Sequence, residues 1–552
     1  MNHSPFRRSL WIHCGVFLVW LLGIASSAGA AVARPNILWI TVEDMSPQLG
    51  CYGDRTVPTP NVDRLAAEGV RFTRAFSTYG VCAPSRASLI TGMYPTSIGA
   101  MHMRTMKRTA ALDAITDPEL LAIPVYEAVP PPQVKCFPEY LRAAGYYCSN
   151  NAKEDYQFIA PVTAWNESGS DAHWKNRPTP ETPFFAVFNF EITHESRVFE
   201  QVSPQVVDPA TVTVPPYYPD TELVRRDIAR NYDNIAEMDR QVGELLKELE
   251  AEGLMEKTII FFFSDHGSGL PRAKRWVYDS GIHVPLIIRF PGQREAGTTN
   301  GDLVSFVDFA PTMLSLLDLP IPDHLQGQAF LGARKATPRR YVFAFRDRMD
   351  PAAERIRAVR DQRFKYVRNY RPELPYLGFV PYRDRMELMQ EILRLSSAGE
   401  LGPDQWQFTA KRKPLEELYD TASDPHEIRN LAGDPVHFEK LAELREIHEA
   451  FHKRYGDLGE LSETNLIRKL WPPAGIQPET LPPLLSVVES RGGVEVRLEP
   501  QTPGASLAWR TGTTNGWQLY HQPIQVEKGV EIRALAHRIG FKPSTEVVHV
   551  VE

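Results

Sequence analysis

Residues 258–266 read Thr258-Ile259-Ile260-Phe261-Phe262-Phe263-Ser264-Asp265-His266, an apolar run of strand length that ends in an acid and a histidine. Such unbroken apolar character fits a strand buried on both faces of a parallel sheet. Upstream, Ile228, Tyr232, Ile235, Met238, Val242, Leu245 and Leu249 recur at three- and four-residue steps, one apolar helical face, and Gly253 supplies the stop. A long amphipathic helix feeding a buried strand is the repeating unit of α/β proteins. Asn36 to Val42, Gly145 to Ser149, Phe184 to Phe190 and Val284 to Phe290 have the same apolar texture, so residues 34–335 are predicted to form an α/β domain around a mostly parallel central sheet. Open parallel sheets bind ligands beyond the carboxyl ends of their strands, and the polar chemistry of this chain gathers there.

Outside that region the texture changes. Residues 336–470 mix strands and helices as a smaller α+β subdomain, whose opening, 336 to 372, holds eleven Lys or Arg against four Asp or Glu. That excess reads either as a face balanced by neighbours or as a groove for an anionic polymer. After Trp471-Pro472-Pro473 a Pro-containing linker leads to short alternating strands over 478–552, an added β-sandwich module. At the other end, Arg7 and Arg8 precede an apolar run from Trp11 to Ile24 and then small residues, the layout of a secretory signal peptide over 1–33. The run is short for a membrane span, so a periplasmic or secreted protein with no membrane partner is expected. Removal of Cys14 leaves Cys51, Cys82, Cys136 and Cys148; export permits a disulfide, Cys136 and Cys148 being the nearest pair. The net charge of −7 argues against nucleic acid as a partner.

Glu43 and Asp44 follow the strand ending at Val42, and Asp265 and His266 follow the one ending at Phe263, so two acidic pairs emerge at one sheet edge. Carboxylates this close repel unless a cation neutralises them, and three of them with few nitrogens favour a hard ion, calcium or magnesium. Cys82-Ala83-Pro84-Ser85-Arg86 adds a thiol at a helix entrance, since Pro84 suits a first helical turn. Free backbone N–H groups there would hold an oxyanion near Cys82, with Arg86 about one turn on.

Together these residues resemble the C-x-P-S-R signature of the type I sulfatases, and Ala87-Ser88-Leu89-Ile90-Thr91-Gly92 matches the downstream context of that family. The resemblance covers roughly residues 34–470 and implies an alkaline-phosphatase-like fold. It also implies oxidation of Cys82 to formylglycine by a maturation enzyme, and a metal held by Glu43, Asp44, Asp265, His266 and residue 82. Glu43 departs from the usual Asp. In this scheme an aldehyde-hydrate hydroxyl, held by the metal and Arg86, attacks sulfur while Lys153 and Lys274 grip the other sulfate oxygens. His194 protonates the leaving group, and the second hydroxyl expels sulfate. The histidine usual two residues after the first lysine is Asp155 here.

Pro130 to Phe137 and Asn150 to Lys153 resemble the branch that includes heparan N-sulfatases, which implies a sulfated polysaccharide or oligosaccharide, preferably a glycosaminoglycan such as heparan sulfate, with a seaweed or mucin glycan as an alternative. His102, Arg346 and Arg348 are candidates for substrate binding, the arginines through bidentate contacts to carboxylates or sulfates, or else through internal ion pairs. Gly504 to Trp509, Trp517 to Pro523 and Gly529 to Ser544 resemble the C-terminal domain of chitobiases and β-hexosaminidases, an accessory module that packs on the enzyme or touches glycan. Two rival readings are a phosphatase or phosphodiesterase on the same sheet and a catalytically silent protein that binds sulfated glycans.

Overall fold

The computed structural model describes residues 34–106, 118–490, 493–512 and 516–552. The segment read as a signal peptide, with Cys14, lies outside the described residues. Nine strands form one sheet: β1 (Asn36–Val42), β2 (Val70–Phe76), β3 (Tyr147–Asn151), β4 (Glu167–Ser168), β5 (Phe184–Phe190), β6 (Thr258–Ser264), β7 (His283–Arg289), β8 (Thr298–Asn300) and β9 (Val304–Ser305). Their order is β4-β3-β5-β1-β6-β7-β2-β8, with β9 beside β2. β1 is central and parallel to both neighbours, Trp39 standing in register with Val187 of β5 and Phe261 of β6. β7 alone runs against its neighbours, antiparallel to β6 and to β2.

The two-residue side-chain period of β1 explains why its whole run is apolar. Leu38, Ile40 and Val42 face a core shared with the helix Glu222–Ala251, whereas Ile37 and Trp39 face a second core of Phe137, Phe185 and Phe309. β3 starts two residues later than its apolar pattern implied, because Gly145, at φ +88°, turns the chain after the helix Pro138–Ala143. β2 escaped the sequence reading because Arg71, Thr73 and Arg74 interrupt its apolar run.

The second sheet, β10 (Val342–Arg346), β11 (Ile356–Arg360), β12 (Phe364–Asn369) and β13 (Glu416–Asp420), is antiparallel in that order, and helix Phe438–Tyr455 packs Leu441 and Leu444 on Val359, Tyr366 and Leu418. Nine of the eleven cations of 336–372 have a carboxylate within ion-pair distance: Arg339, Arg348, Arg355, Arg357, Arg360, Arg363, Lys365, Arg368 and Arg371. The basic segment is therefore largely neutralised, mostly by acids from other parts of the fold. Arg340, which is exposed, and Arg346, which is buried, are the exceptions.

Strands β14 (Leu484–Ser490), β15 (Gly493–Glu499), β16 (Ser506–Thr511), β17 (Gln518–Leu519), β18 (Ile524–Val526), β19 (Glu531–His537) and β20 (Val547–Val550) make two antiparallel sheets, β14-β15-β18 and β17-β16-β19-β20. They share one core of Val494, Val496, Leu507, Ile532 and Ala534. This module packs on the α/β core: Lys135 Nζ donates to Gly504 O at 2.8 Å, Arg142 Nη2 to Trp517 O at 2.8 Å, and Trp471 Nε1 to Gly540 O at 2.9 Å. Gly504 approaches Pro132 so closely that a Cβ would collide with its backbone. Cys51, Cys82, Cys136 and Cys148 are all free thiols. Among the described residues no helix is long and apolar enough to cross a membrane.

Candidate active site

The carboxyl ends of β1 and β6 deliver their acids to one point. Asp44, in the left-handed region at φ +51°, turns its backbone N–H onto Asp265 Oδ1 at 3.2 Å, which joins the two strand exits. Glu43, Asp44, Asp265 and His266 are all buried there. Cys82 opens the helix Cys82–Thr91, and its Sγ lies 3.4 Å from His266 Nε2 and 3.9 Å from Asp44 Oδ1. The residues expected to form the metal centre thus converge on the thiol.

The electrostatics show what this cluster lacks. His266 Nε2 sits 2.8 Å from Asp44 Oδ1 and 3.6 Å from Asp265 Oδ1. Burial opposes its charge, but the two carboxylates prevail and raise its pKa to about 10. Burial, with Cys82 and Asp265 adding to it, pushes Glu43 up to about 7 against the pull of Lys153. Asp44 resists burial because Lys274, His194 and His266 hold it well below the usual carboxylate range. Glu43 Oε1 takes the Lys153 ammonium and lies 3.5 Å from Arg86 Nη2. The carboxylates of Glu43, Asp44 and Asp265 and the imidazoles of His194 and His266 gather in two groups that share the Cys82 side chain, a donor set that fits a hard divalent cation.

Cations ring this centre. Arg86 Nε donates to Asp265 Oδ2 at 3.0 Å and its Nη1 to Asn189 Oδ1 at 2.7 Å, while Asn189 is itself held by Asn150 and Asn151. Lys153 Nζ pairs with Glu43 and lies 3.9 Å from Asp155 Oδ2. Lys274 Nζ bridges Asp44 Oδ2 at 2.5 Å and Glu195 Oε1 at 3.1 Å. His194 Nδ1 bonds Ser196 Oγ at 2.9 Å, and its Nε2 lies 4.0 Å from Glu43 Oε2. Burial, then Lys274, lowers the pKa of His194. A pocket of about 430 Å³ opens over Cys82, lined by Lys153 and His194 and walled by Arg104, Asp155, Tyr156 and Phe158.

The three residues expected to bind substrate behave differently. His102 is buried outside the pocket lining, its Nδ1 accepting from the Arg348 N–H at 3.3 Å. Arg348 requires a correction: its Nε and Nη2 grip Glu463, both at 2.7 Å, and its Nη1 bonds Met103 O and Asp350 O, so its donors face inward as structural ties. The partner Glu463 lies 115 residues away, beyond the reach of local sequence reading. Arg346 is buried, with no carboxylate partner among the described residues.

Two residues entered the site without a role assigned from sequence. Glu195, next to His194, takes both terminal nitrogens of Arg275 at 2.7 and 2.8 Å, and its N–H donates to Asp44 Oδ2 at 2.7 Å. Asn189 is an amide inside the apolar run of β5, and that interruption was the signal available for it.

A family model described as Sulfatase matches residues 35–319, and one described as N-sulphoglucosamine sulphohydrolase, C-terminal, matches 272–388. An ulvan-active sulfatase of Formosa agariphila is 46% identical over 555 residues, covering 93% of this chain and 91% of its own. Human N-sulphoglucosamine sulphohydrolase is 26% identical over 457 residues, covering 76% of this chain and 90% of its own. Among solved structures, a 2-O GAG sulfatase superposes with a TM-score of 0.55 at 19% identity, over 78% of this chain and 94% of that one, a likeness of fold alone. Since the first of these models takes in more than half of the sequence and the Formosa enzyme aligns along nearly all of it, the chain belongs to the sulfatase family of sulfuric ester hydrolases.

Proposed function

We propose that the protein removes sulfate, as an ester or N-sulfate, from a sulfated polysaccharide, with Cys82 matured to formylglycine and Ca2+, or Mg2+, held by Glu43, Asp44, Asp265, His266 and residue 82. The observation that carries this reading is the convergence of those four residues and Lys274 on the Cys82 side chain at the mouth of a pocket. When bound, the cation supplies positive charge that stabilises an oxyanion, and the hydrated aldehyde supplies a nucleophilic oxygen with a second hydroxyl.

The other roles follow from the side chains. Arg86, fixed by Asp265 and Asn189, presents a permanent charge beside residue 82. Lys153 and Lys274 stand on the Glu43 and Asp44 sides of the thiol, positioned for the non-bridging oxygens of a sulfate that stays anionic throughout. His194 holds a proton at Nε2 for the departing oxygen or nitrogen, with Ser196 fixing the ring through Nδ1. Its lowered pKa makes it a readier donor once protonated. Asp155, in place of the family's histidine, tethers Lys153 instead.

For the substrate we place ulvan ahead of heparan sulfate, because the ulvan-active relative aligns over 93% of the chain whereas the human N-sulphoglucosamine enzyme aligns over 76%. The apolar leader pattern supports a periplasmic or secreted location, with maturation of Cys82 by a formylglycine-generating enzyme, and residues 34–335, 336–470 and 478–552 are taken as catalytic domain, subdomain and accessory module. The test compares sulfate release from ulvan and heparin oligosaccharides with phosphate release from matched phosphate esters. Sulfate release that disappears in Cys82→Ala supports the reading. Preferred phosphate release sinks it, as does glycan binding without any turnover. Mass spectrometry of the Cys82 peptide from the native host should show a loss of about 18 Da relative to cysteine.

A further inference from the structure

Arg346 ends β10 with 2% of its surface exposed, as little as Cys82. Its guanidinium carbon lies over the Trp276 ring, 3.7 Å from the centroid. Nε and Nη1 are buried and find no hydrogen-bond partner among the described residues. Nine of the eleven cations in its segment have carboxylates, so this omission is local to Arg346 and not a property of the fold. The nearest acid acting on it, Glu354, is already paired with Lys413 at 2.8 Å.

More cations crowd the same place. Arg275 and Arg383 both act on Arg346, and with burial as the largest cause its pKa falls to about 10. Arg275 shares Glu195 with Lys274, so one carboxylate serves two cations. Arg383, also buried, bonds the neighbouring Asp384 and the carbonyl of Gly378 among the described residues. A buried guanidinium with free donors is costly, and a planar oxyanion is the partner that its forked geometry fits.

The position is next to the chemistry. Phe345 N donates to Thr78 O at 2.9 Å and Tyr79 pairs in parallel with Phe345, so β10 runs alongside the segment that leads into Cys82. Trp276, which carries Arg346 on its face, is two residues from Lys274 on Asp44.

We propose that Arg346, with Arg275 and Arg383 beside it, is a subsite for a second anionic group of the glycan, a carboxylate or a further sulfate, adjoining the sulfate that is removed. The assignment rests on the sulfatase reading. Trp276 supports one face of the guanidinium, and the unpartnered nitrogens receive the oxyanion edge-on. Selection then favours glycans with two anionic groups on adjoining positions over singly charged ones.

The test measures kcat/KM for sulfate release from three oligosaccharides: one monosulfated with an intact uronate, the same with the uronate reduced to an alcohol, and the reduced form carrying a second sulfate. The unmodified enzyme should lose about a hundredfold on reduction if a carboxylate is the occupant, or gain about as much from the second sulfate if a sulfate is, the scale of losing one partner of a buried charge pair. Arg346→Met should abolish that discrimination, its kcat/KM differing by less than about threefold among the three substrates, and Arg346→Lys should keep part of it. Removing an uncompensated buried charge should leave the melting temperature of Arg346→Met without substrate unchanged or raised. A lowered melting temperature, or an equal loss on all three substrates, overturns the subsite. Equal kcat/KM on all three for the unmodified enzyme overturns it too and leaves the sulfatase reading standing, whereas release from none overturns that reading.

Discussion

Replacing Glu195 by Gln tests the charge arrangement behind Lys274, the lysine proposed to hold sulfate. Burial raises the energy of the Glu195 carboxylate, yet Arg275 and Lys274 more than offset it and hold its pKa at about 2, against an ordinary 4.5. Breaking a buried ion pair of this kind costs about 3–5 kcal/mol at neutral pH, where the carboxylate is ionised. Glutamine keeps the shape and one acceptor, but it leaves the Arg275 fork and the Lys274 ammonium with less opposing charge. Urea unfolding at pH 7 should therefore show Glu195→Gln less stable by about 3 kcal/mol. Sulfate release should fall as well, because Lys274 loses one of its two carboxylates and is drawn further toward Asp44. A variant less than about 1 kcal/mol weaker than the parent, with full activity, would refute the argument, since a loss that small belongs to an exposed ion pair.

Asp265→Asn should weaken calcium binding, measured by calorimetry on the unmodified fold, by at least about tenfold, because it removes one of three carboxylates and also loosens Arg86, which that carboxylate holds. Undiminished affinity would exclude this cluster as the cation site. His448 gives the pH prediction: burial, with His452 and Arg357, depresses its pKa to about 3 from an ordinary 6.5. The unfolded chain then binds the proton more readily, so stability falls as the pH drops from 6.5 toward 3, by about 1.4 kcal/mol per unit at the steepest. His448→Gln should flatten the fall in unfolding free energy between pH 6.5 and 4 by that amount, and an unchanged slope would contradict the assignment.

The strands that carry the proposed metal ligands were legible because burial on both faces leaves an unbroken apolar run, and their polar exits could be read straight from sequence, Glu43-Asp44 after β1 and Asp265-His266 after β6. β2 was not, since an interrupted run gives neither strand nor helix periodicity. The same division holds for the site. Residues fixed by position along a strand or at a helix entrance, such as Asp44 and Cys82, could be named in advance. Residues defined by a distant partner could not: Glu195 finds Arg275 across 80 residues, and Arg348 finds Glu463 across 115. Of the two readings of the basic excess in 336–372, the fold gives the face balanced by neighbours, through acids outside that segment, Asp308, Asp279, Asp420 and Asp457 among them.

Three consecutive residues link the proposed reaction centre to the proposed anion subsite. Lys274 holds Asp44, Arg275 holds Glu195, and Trp276 supports Arg346. Their backbone is pinned to the strand-to-helix segment of Cys82, for the Arg275 N–H donates to Gly80 O at 2.5 Å and Gly80 leaves no space for a Cβ against Trp276. A rigid segment of this kind cannot shift Trp276 without moving Lys274, so an anion that draws Arg346 against the ring also loads the lysine's position relative to residue 82. Glycan charge should therefore register in kcat as well as in KM, whereas an independent binding patch would register in KM alone.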